Sequence, residues 1–279
     1  MKIRRLYTAS NPDIYRAGDG VHKAFLNAVN KSRFNLLHIL YLSVEKKCFQ
    51  NAKRIIVNSK MIKKEIQENY GINANKISLV YNGFDPEYLE FNESYKKLSK
   101  EFKIDQGKKI FLFVGSGYQR KGVKSFLKII SQLKNKDILA FIVGKESKIN
   151  FYKKLSKEYL IENKVIFTGP RQDVNDFYNV SDFFILPTHY EPFGNVVLEA
   201  MSYGNVVFTT SFNGASEILD SDFVMKDPFD YSLVDTIKDL LDAPKKIDLI
   251  KERNIIKAKK FSEEKNAIET MRVINEVIN

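Results

Sequence analysis

From about residue 108 the chain alternates short β-branched or aromatic apolar runs with longer amphipathic stretches. The runs are KIFLFVG (109–115), ILAFIVG (138–144), KVIFTG (164–169), FFILP (183–187), VVFTT (206–210) and FVM (223–225). Their apolar character on both faces suits strands of a parallel sheet covered on both sides, not an antiparallel sheet with one wet face. Between them VKSFLKIISQLK, FYKKLSKEYLI, DVNDFYNVS and NVVLEAMSY repeat apolar positions at helical spacing, each near a Gly, Asn or Asp start signal. Strand–helix alternation of this kind predicts a doubly wound α/β domain of about 130 residues.

The front of the chain is shorter and reads differently. Helical patterns cover about 22–29 and 34–51, RIIVNS (54–59) reads as a strand, 60–69 as a helix and ISLVYNG (77–83) as a last strand. Three strands fall short of the roughly five or six that a Rossmann-like sheet needs, so this part is expected to be incomplete. Residues 246–279 read as two polar helices. The expected division is a partial N-terminal domain over 1–95, a second domain over 96–260 and a C-terminal helix, 261–279, packing back on the first part.

Composition narrows the class. With 279 residues, 44% hydrophobic and 28% charged, the chain is that of a globular protein and not a disordered or collagen-like one. Cys48 is alone, so there is no disulfide framework and no Cys/His zinc cluster; a reducing compartment, the cytoplasm, is expected. The opening MKIRRLYTASNPD lacks the apolar core of a signal peptide, and no run of about 18 apolar residues suggests a membrane span.

The net charge of +11 is unevenly spread. Residues 1–64 hold 14 Lys or Arg against Asp13, Asp19 and Glu45, and the remainder balances. Arg4, Arg5, Lys23, Lys31, Arg33, Lys46, Lys47, Lys53 and Arg54 are interleaved with Phe25, Phe34, Leu36, Leu37, Tyr41 and Phe49. Helices with one basic and one aromatic face fit an anionic membrane surface; a solvated cationic face over an aromatic core fits equally well. Nucleic acid is not expected as a partner, because no helix-turn-helix or RNP sequence is present.

Three segments carry candidate chemistry. In HYEPFGNVVLEAMSYG (189–204), Glu191 stands at a helix entrance and Glu199 about a turn inside, so both can face one ligand at a helix N-terminus that attracts anions. Helix capping and surface exposure are the plain alternative for these acids. In VGSGYQRKGV (114–123), Gly115 and Gly117 allow a tight turn while Arg120 and Lys121 can contact phosphate. The spacing matches neither a dinucleotide fingerprint nor a P-loop, and a structural loop with two solvated bases is the alternative. In RAGDGVH (16–22), Asp19 and His22 can meet a ligand or serve as turn and cap residues. His189 is open to either reading, and His38 is expected in the core. The one DxD string, Asp220-Ser221-Asp222, follows a helix-like segment and reads as a turn.

YNGFD (81–85), VGSGYQRKG (114–122), TGPRQDV (168–174), EPFGNVVLEAMSYG with its two glutamates, and TSFNGASEIL (210–219) together resemble the nucleotide-sugar glycosyltransferases of family 4 over about 54–260. IYRAGDGVH (14–22) resembles the bacterial lipopolysaccharide-core glucosyltransferases within that family. The resemblance implies the GT-B type of fold, α/β with two Rossmann-like domains facing across a cleft, the N-terminal one incomplete here. It implies that Arg120 and Lys121 bind the donor diphosphate and that Glu199 holds the ribose. Glu191 and the backbone of Phe193, Gly194, Asn195 and Val196 would hold sugar and phosphate, Arg171 would lie near the base, and Asp19 would stand at the cleft. It also implies retention of anomeric configuration without a bound metal. The expected activity is hexose transfer from a nucleotide sugar, UDP-linked, to a cell-envelope glycolipid or oligosaccharide such as lipopolysaccharide core, at the inner face of the cytoplasmic membrane. A donor-binding remnant without turnover, or one half of a split enzyme completed by a partner chain, remains open. A nucleotide-sugar epimerase is a weaker third reading.

Overall fold

The computed structural model describes residues 12–29, 32, 35–133 and 137–278, together with the backbone of 3–4. Two parallel sheets organise it. The first holds β1 (Ile3–Arg4), β2 (Ile14–Arg16), β3 (Arg54–Val57) and β4 (Ile77–Leu79) in that spatial order. The second holds β5 (Lys109–Val114), β6 (Ile138–Val143), β7 (Val165–Gly169), β8 (Phe183–Leu186), β9 (Val206–Thr210) and β10 (Val224–Met225), in the order β10-β9-β8-β5-β6-β7.

Helices connect the strands. In the first lobe these are α1 (His22–Ala28), α2 (Leu36–Asn51) and α3 (Lys60–Tyr70). Then follow α4 (Phe91–Phe102), α5 (Tyr118–Lys121), α6 (Val123–Gln132), α7 (Ile149–Glu158), α8 (Val174–Val180) and α9 (Asn195–Ser202). α10 (Leu233–Leu241), α11 (Pro244–Ala258) and α12 (Glu263–Ile278) complete the set.

All six apolar runs of the second half form strands, because a run buried on both faces has few alternatives once helices cover both sides. The aromatic rings lock the register: Phe111 pairs with Phe183 across β5 and β8, their rings stacked at 4.7 Å. The first sheet has four strands where three were expected. β1 and β2 are two and three residues long, too short to leave a periodic signal. Of ISLVYNG, Ile77–Leu79 form β4 and Val80 N–H still donates to the Val57 carbonyl at 2.8 Å.

α4 and α10 are two helices beyond those that the sequence pattern predicts. α4 packs on α8, where Asp176 accepts from Ser94 Oγ at 2.7 Å and from Lys97, and Leu98 joins the second core. The position 95–96 therefore lies inside a helix docked on the second lobe. α12 returns to the first lobe, with Val273 and Ile274 packed against Ile14, Ile56 and Val80.

The chain winds outward from β5 to β6 and β7, then returns to build β8, β9 and β10 on the other side. The order reverses between β5 and β8, and the loops leaving those two strands splay apart there, which is where open α/β sheets bind ligands. The first lobe faces this edge through α3 and the loop around Gly20. Glu217 accepts the backbone N–H groups of Lys60 and Met61 at 2.9 and 2.8 Å and the Tyr81 hydroxyl at 2.9 Å. It thus satisfies free donors at the start of α3 from the opposite lobe. Ser59 Oγ caps α3 and donates to the Pro192 carbonyl at 2.8 Å. Gly20 has φ +85°, and a Cβ there would lie 2.7 Å from both Pro192 and the Tyr190 hydroxyl, so the lobes meet through a residue without a side chain.

Candidate functional site

The loop after β5 (Gly115 to Gly117) leads into α5, and the loop after β8 (Pro187 to Gly194) leads into α9. Together they bring Arg120, Lys121 and Glu191 to one point. Arg120 donates to Glu191 at 2.7 Å and to the Tyr190 carbonyl at 2.8 Å, and Lys121 forms a short ion pair with the same Glu191 oxygen. Lys121 is 8% exposed, and its stem runs beside Gly115, where a Cβ would lie 3.3 Å from Lys121 Cγ. Burial lowers the Lys121 ammonium against the pull of Glu191. Burial also acts to raise Glu191, but Lys121 and Arg120 outweigh it and hold the carboxyl below its usual range.

Two cations thus face Glu191 at the floor of the cleft, with Glu199 near enough to act on Lys121. The adjoining α9 adds its positive end. Gly194 precedes this helix in the left-handed region with no side-chain cap, and a Cβ there would lie 2.8 Å from the Asn213 amide. Val197 N–H turns back to the Gly194 carbonyl at 2.8 Å, and the Asn195 and Val196 amides are left to a ligand, the arrangement that favours anions. Glu199, one turn into α9, accepts the Tyr178 hydroxyl at 2.9 Å; burial raises its carboxyl and the Lys121 charge works against that shift. Phe193 is buried beneath the loop, 6.0 Å from Tyr81 between ring centres.

A cavity of about 240 Å³ joins Lys121, Glu191, Phe193, Gly194, Asn195 and Val196 to Gly18, Asn58 and Asn82 of the other side. Asp19, exposed at the mouth, lines two neighbouring cavities, one shared with Arg120 and Glu191 and one with Asn195. The structure therefore gathers Gly115, Arg120, Lys121, Glu191, Phe193 to Val196 and Asp19 around one cleft. Gly117 faces the cavity on the outer side of Arg120, which His189 also lines. Burial lowers the His189 ring below its ordinary value.

Arg171 stands apart. Its guanidinium is held by Glu101 at 2.7 and 2.9 Å and by Asp173 at 2.8 and 2.9 Å, over the rings of Phe102 and Phe177. His38 is half-buried, not in the core, and its Nδ1 lies 3.1 Å from His22 Nε2. The Asp220-Ser221-Asp222 string forms a turn, with Asp220 paired to Arg253 at 2.9 Å and to Lys257.

Of the basic front, Arg5, Lys31, Arg33 and Phe34 lie outside the described residues. Leu36, Leu37, Ile39 and Leu40 are exposed on α2, whereas Phe49 is buried. Among the described residues no helix is long and apolar enough to cross a membrane.

Sequence reasoning missed Asn58, Asn82, Tyr190 and Glu65. A polar residue closing the apolar run RIIV was the available sign for Asn58. Tyr190 donates to Glu65 at 2.8 Å and accepts the Val21 N–H at 3.1 Å, tying the Glu191 loop to α3. Burial pushes Glu65 from 4.5 up to about 7. The folded protein therefore binds this proton more tightly than the unfolded chain, and stability is lost as pH rises from about 4.5 through about 7. Glu65→Gln keeps an acceptor for Tyr190 without the charge. It is expected to melt higher than the parent at pH 8, by a margin that shrinks towards pH 5; a margin independent of pH would refute this.

Residues 94–261 match the family described as Glycosyl transferases group 1, and residues 16–88 match Glycosyltransferase Family 4. The chain belongs to the group 1 glycosyltransferases, with the GT-B type of fold. It is 26% identical over 201 residues to the lipopolysaccharide glucosyltransferase WaaG of Escherichia coli, covering 68% of this chain and 53% of that protein. It is 28% identical over 194 residues to the N,N'-diacetylbacillosaminyl-diphospho-undecaprenol alpha-1,3-N-acetylgalactosaminyltransferase of Campylobacter jejuni, covering 67% of this chain and 50% of that one. The chain spans about half the length of the curated relatives it matches. Among solved structures, WaaG superposes with a TM-score of 0.79 at 21% identity, covering 93% of this chain and 75% of that one. Anabaena HepE in complex with UDP-glucose gives 0.75 at 18%, covering 97% and 80%.

Proposed function

We propose that this chain transfers a hexose from a nucleotide sugar, UDP-linked, to a hydroxyl of a cell-envelope glycolipid or polysaccharide such as lipopolysaccharide core, with retention at the anomeric carbon. The observation that carries this reading is the convergence of Arg120 and Lys121 on Glu191 beside the uncapped start of α9. In it, the donor diphosphate takes the place of Glu191 between the two cations and meets the α9 amides. As the bond from the sugar C1 to the diphosphate oxygen breaks, negative charge grows on that oxygen, and the fixed cations stabilise it. The acceptor oxygen bonds to C1 and its proton passes to the departing phosphate. Arg120 and Lys121 bring the positive charge this step needs, so the reading invokes no metal. Glu191, freed from the cations, accepts sugar hydroxyls, Glu199 holds the ribose, and Asp19 meets the acceptor at the mouth.

In this reading Arg171 contributes through the backbone of its loop, since its side chain is engaged. The basic residues of 1–64 and the exposed leucines of α2 fit peripheral attachment to the inner face of the cytoplasmic membrane. The HepE complex with UDP-glucose supports the donor class by analogy.

The test is thermal melting of the purified chain with UDP, UDP-sugars and GDP-sugars, since a ligand that binds only the folded form raises the melting temperature. A rise with UDP compounds that disappears in Lys121→Ala is expected. No rise with any nucleotide would overturn the reading. A rise without release of UDP from a donor would instead favour a donor-binding chain that needs a partner for the acceptor half.

A further inference from the structure

Three buried side-chain polar atoms among the described residues have no hydrogen-bond partner: Asn58 Oδ1, Ser99 Oγ and Asn205 Oδ1. Buried acceptors are almost always satisfied, so each orphan calls for an account. Asn205 belongs to the interior, its Nδ2 holding the carbonyls of Tyr178 and Ser181 at 2.8 and 2.9 Å. Asn58 differs, because it lines the cavity that contains Lys121 and Glu191.

The position of Asn58 is fixed from two sides. It directly follows β3, at the carboxyl edge of the first sheet, and precedes Ser59, which is bound to α3 and to Pro192 across the cleft. Its Nδ2 donates to the Gly18 carbonyl at 3.0 Å, and the opposite orientation of the amide would set oxygen against oxygen. The unpaired atom is therefore an acceptor. Asn58 is 3% exposed, and leaving such a group unpaired is costly. It requires a donor from whatever fills the cavity.

The chemistry of the cavity narrows the choice. A volume of about 240 Å³ suits a single sugar ring. Its other face presents the Glu191 carboxylate, also an acceptor. A ligand lying between Glu191 and Asn58 must offer hydrogen-bond donors in two directions while remaining uncharged towards Asn58. On this side of the cavity a pyranose with hydroxyls around its ring meets that requirement and a phosphate does not, whereas Lys121 and the start of α9 on the opposite side suit the anion.

We infer that Asn58 is a specificity-determining residue that accepts a hydrogen bond from one hydroxyl of the transferred sugar, so that the first lobe reads the sugar which the second lobe holds by its diphosphate. This inference rests on the donor reading above, and it assigns the Asn58 side of the cavity to the sugar, leaving the Lys121 and α9 side to the diphosphate.

The test compares UDP with UDP-glucose, UDP-galactose and UDP-N-acetylglucosamine by titration calorimetry on the full chain and on Asn58→Ala and Asn58→Leu. UDP affinity, unchanged in both variants, reports that the fold and the diphosphate site are intact. The tightest UDP-sugar is expected to lose about three- to tenfold in affinity in both variants, the scale of one neutral hydrogen bond. Its 2-, 3-, 4- and 6-deoxy analogues locate the partner: one of them should bind the parent more weakly yet bind Asn58→Ala as well as the hydroxylated sugar does. An unchanged ratio of UDP-sugar to UDP affinity in the variants overturns the inference, as does equal affinity of the parent for UDP and every UDP-sugar. Failure of the parent to bind UDP at all overturns the donor reading itself.

Discussion

Lys121→Ala is expected to lower the rate of sugar transfer about 10²–10³-fold, the loss seen when one preorganised charge partner of a transition state is removed. The size follows from the site. Lys121 is buried, its stem lies against Gly115, and its ammonium is aimed at the point where Glu191 and the start of α9 converge. A charge fixed there costs no reorganisation when the leaving diphosphate develops its own. Burial lowers the Lys121 ammonium and the neighbouring Glu191 carboxylate works against that shift, so an anion at this point favours the charged form. Lys121→Arg should recover little, since the planar guanidinium needs width that the slot beside Gly115 does not offer. The check is UDP release from the donor in the presence of acceptor, with kcat and KM separated. A Lys121→Ala protein within threefold of the parent in kcat would remove electrostatic stabilisation at this position from the account.

The second lobe was legible because its strands are buried on both faces and its loops end on glycines and charges with little freedom of placement. KIFLFV and ILAFIV admit one assignment. The two loops that carry Arg120, Lys121 and Glu191 were legible as ligand loops, but the ion pairing among these residues is visible only in the structure, where the loops leave adjacent strands. The first lobe was harder to read because β1 and β2 are too short for periodicity. Apart from the C-terminal helix packing back on the first lobe, contacts between the lobes left no trace in the sequence. Nothing local marks Glu217 as the cap of α3, or Tyr190 as a partner of Glu65, since their counterparts lie 156 and 125 residues away. Arg171 shows the converse. Its motif drew attention to the side chain, but two acids in reach, Glu101 and Asp173, take every one of its strong contacts.

Glu191→Ala carries the other large effect, and its signs differ between stability and binding. In the parent, Glu191 is the counter-charge of Lys121 and Arg120, one of them almost fully buried. Removing one member of a buried ion pair leaves the other charge uncompensated, at a cost of about 3–5 kcal/mol. The variant should therefore melt well below the parent when no ligand is present. Lys121→Met combined with Glu191→Ala removes one of the two facing cations together with the acid, and should recover part of that loss, as expected for coupled neighbours. Binding runs the other way. A diphosphate must displace Glu191 from the cations in the parent, whereas in Glu191→Ala it meets them unopposed and is their only anion. UDP should consequently raise the melting temperature of Glu191→Ala by more than it raises that of the parent, and of the double variant hardly at all. Sugar transfer by Glu191→Ala should still be lost, because the carboxylate that would take the sugar hydroxyls is gone. Melting curves of the three proteins with and without UDP separate these effects. If UDP stabilises the parent but not Glu191→Ala, then Glu191 binds the nucleotide directly, and the idea that it holds the place of the diphosphate fails.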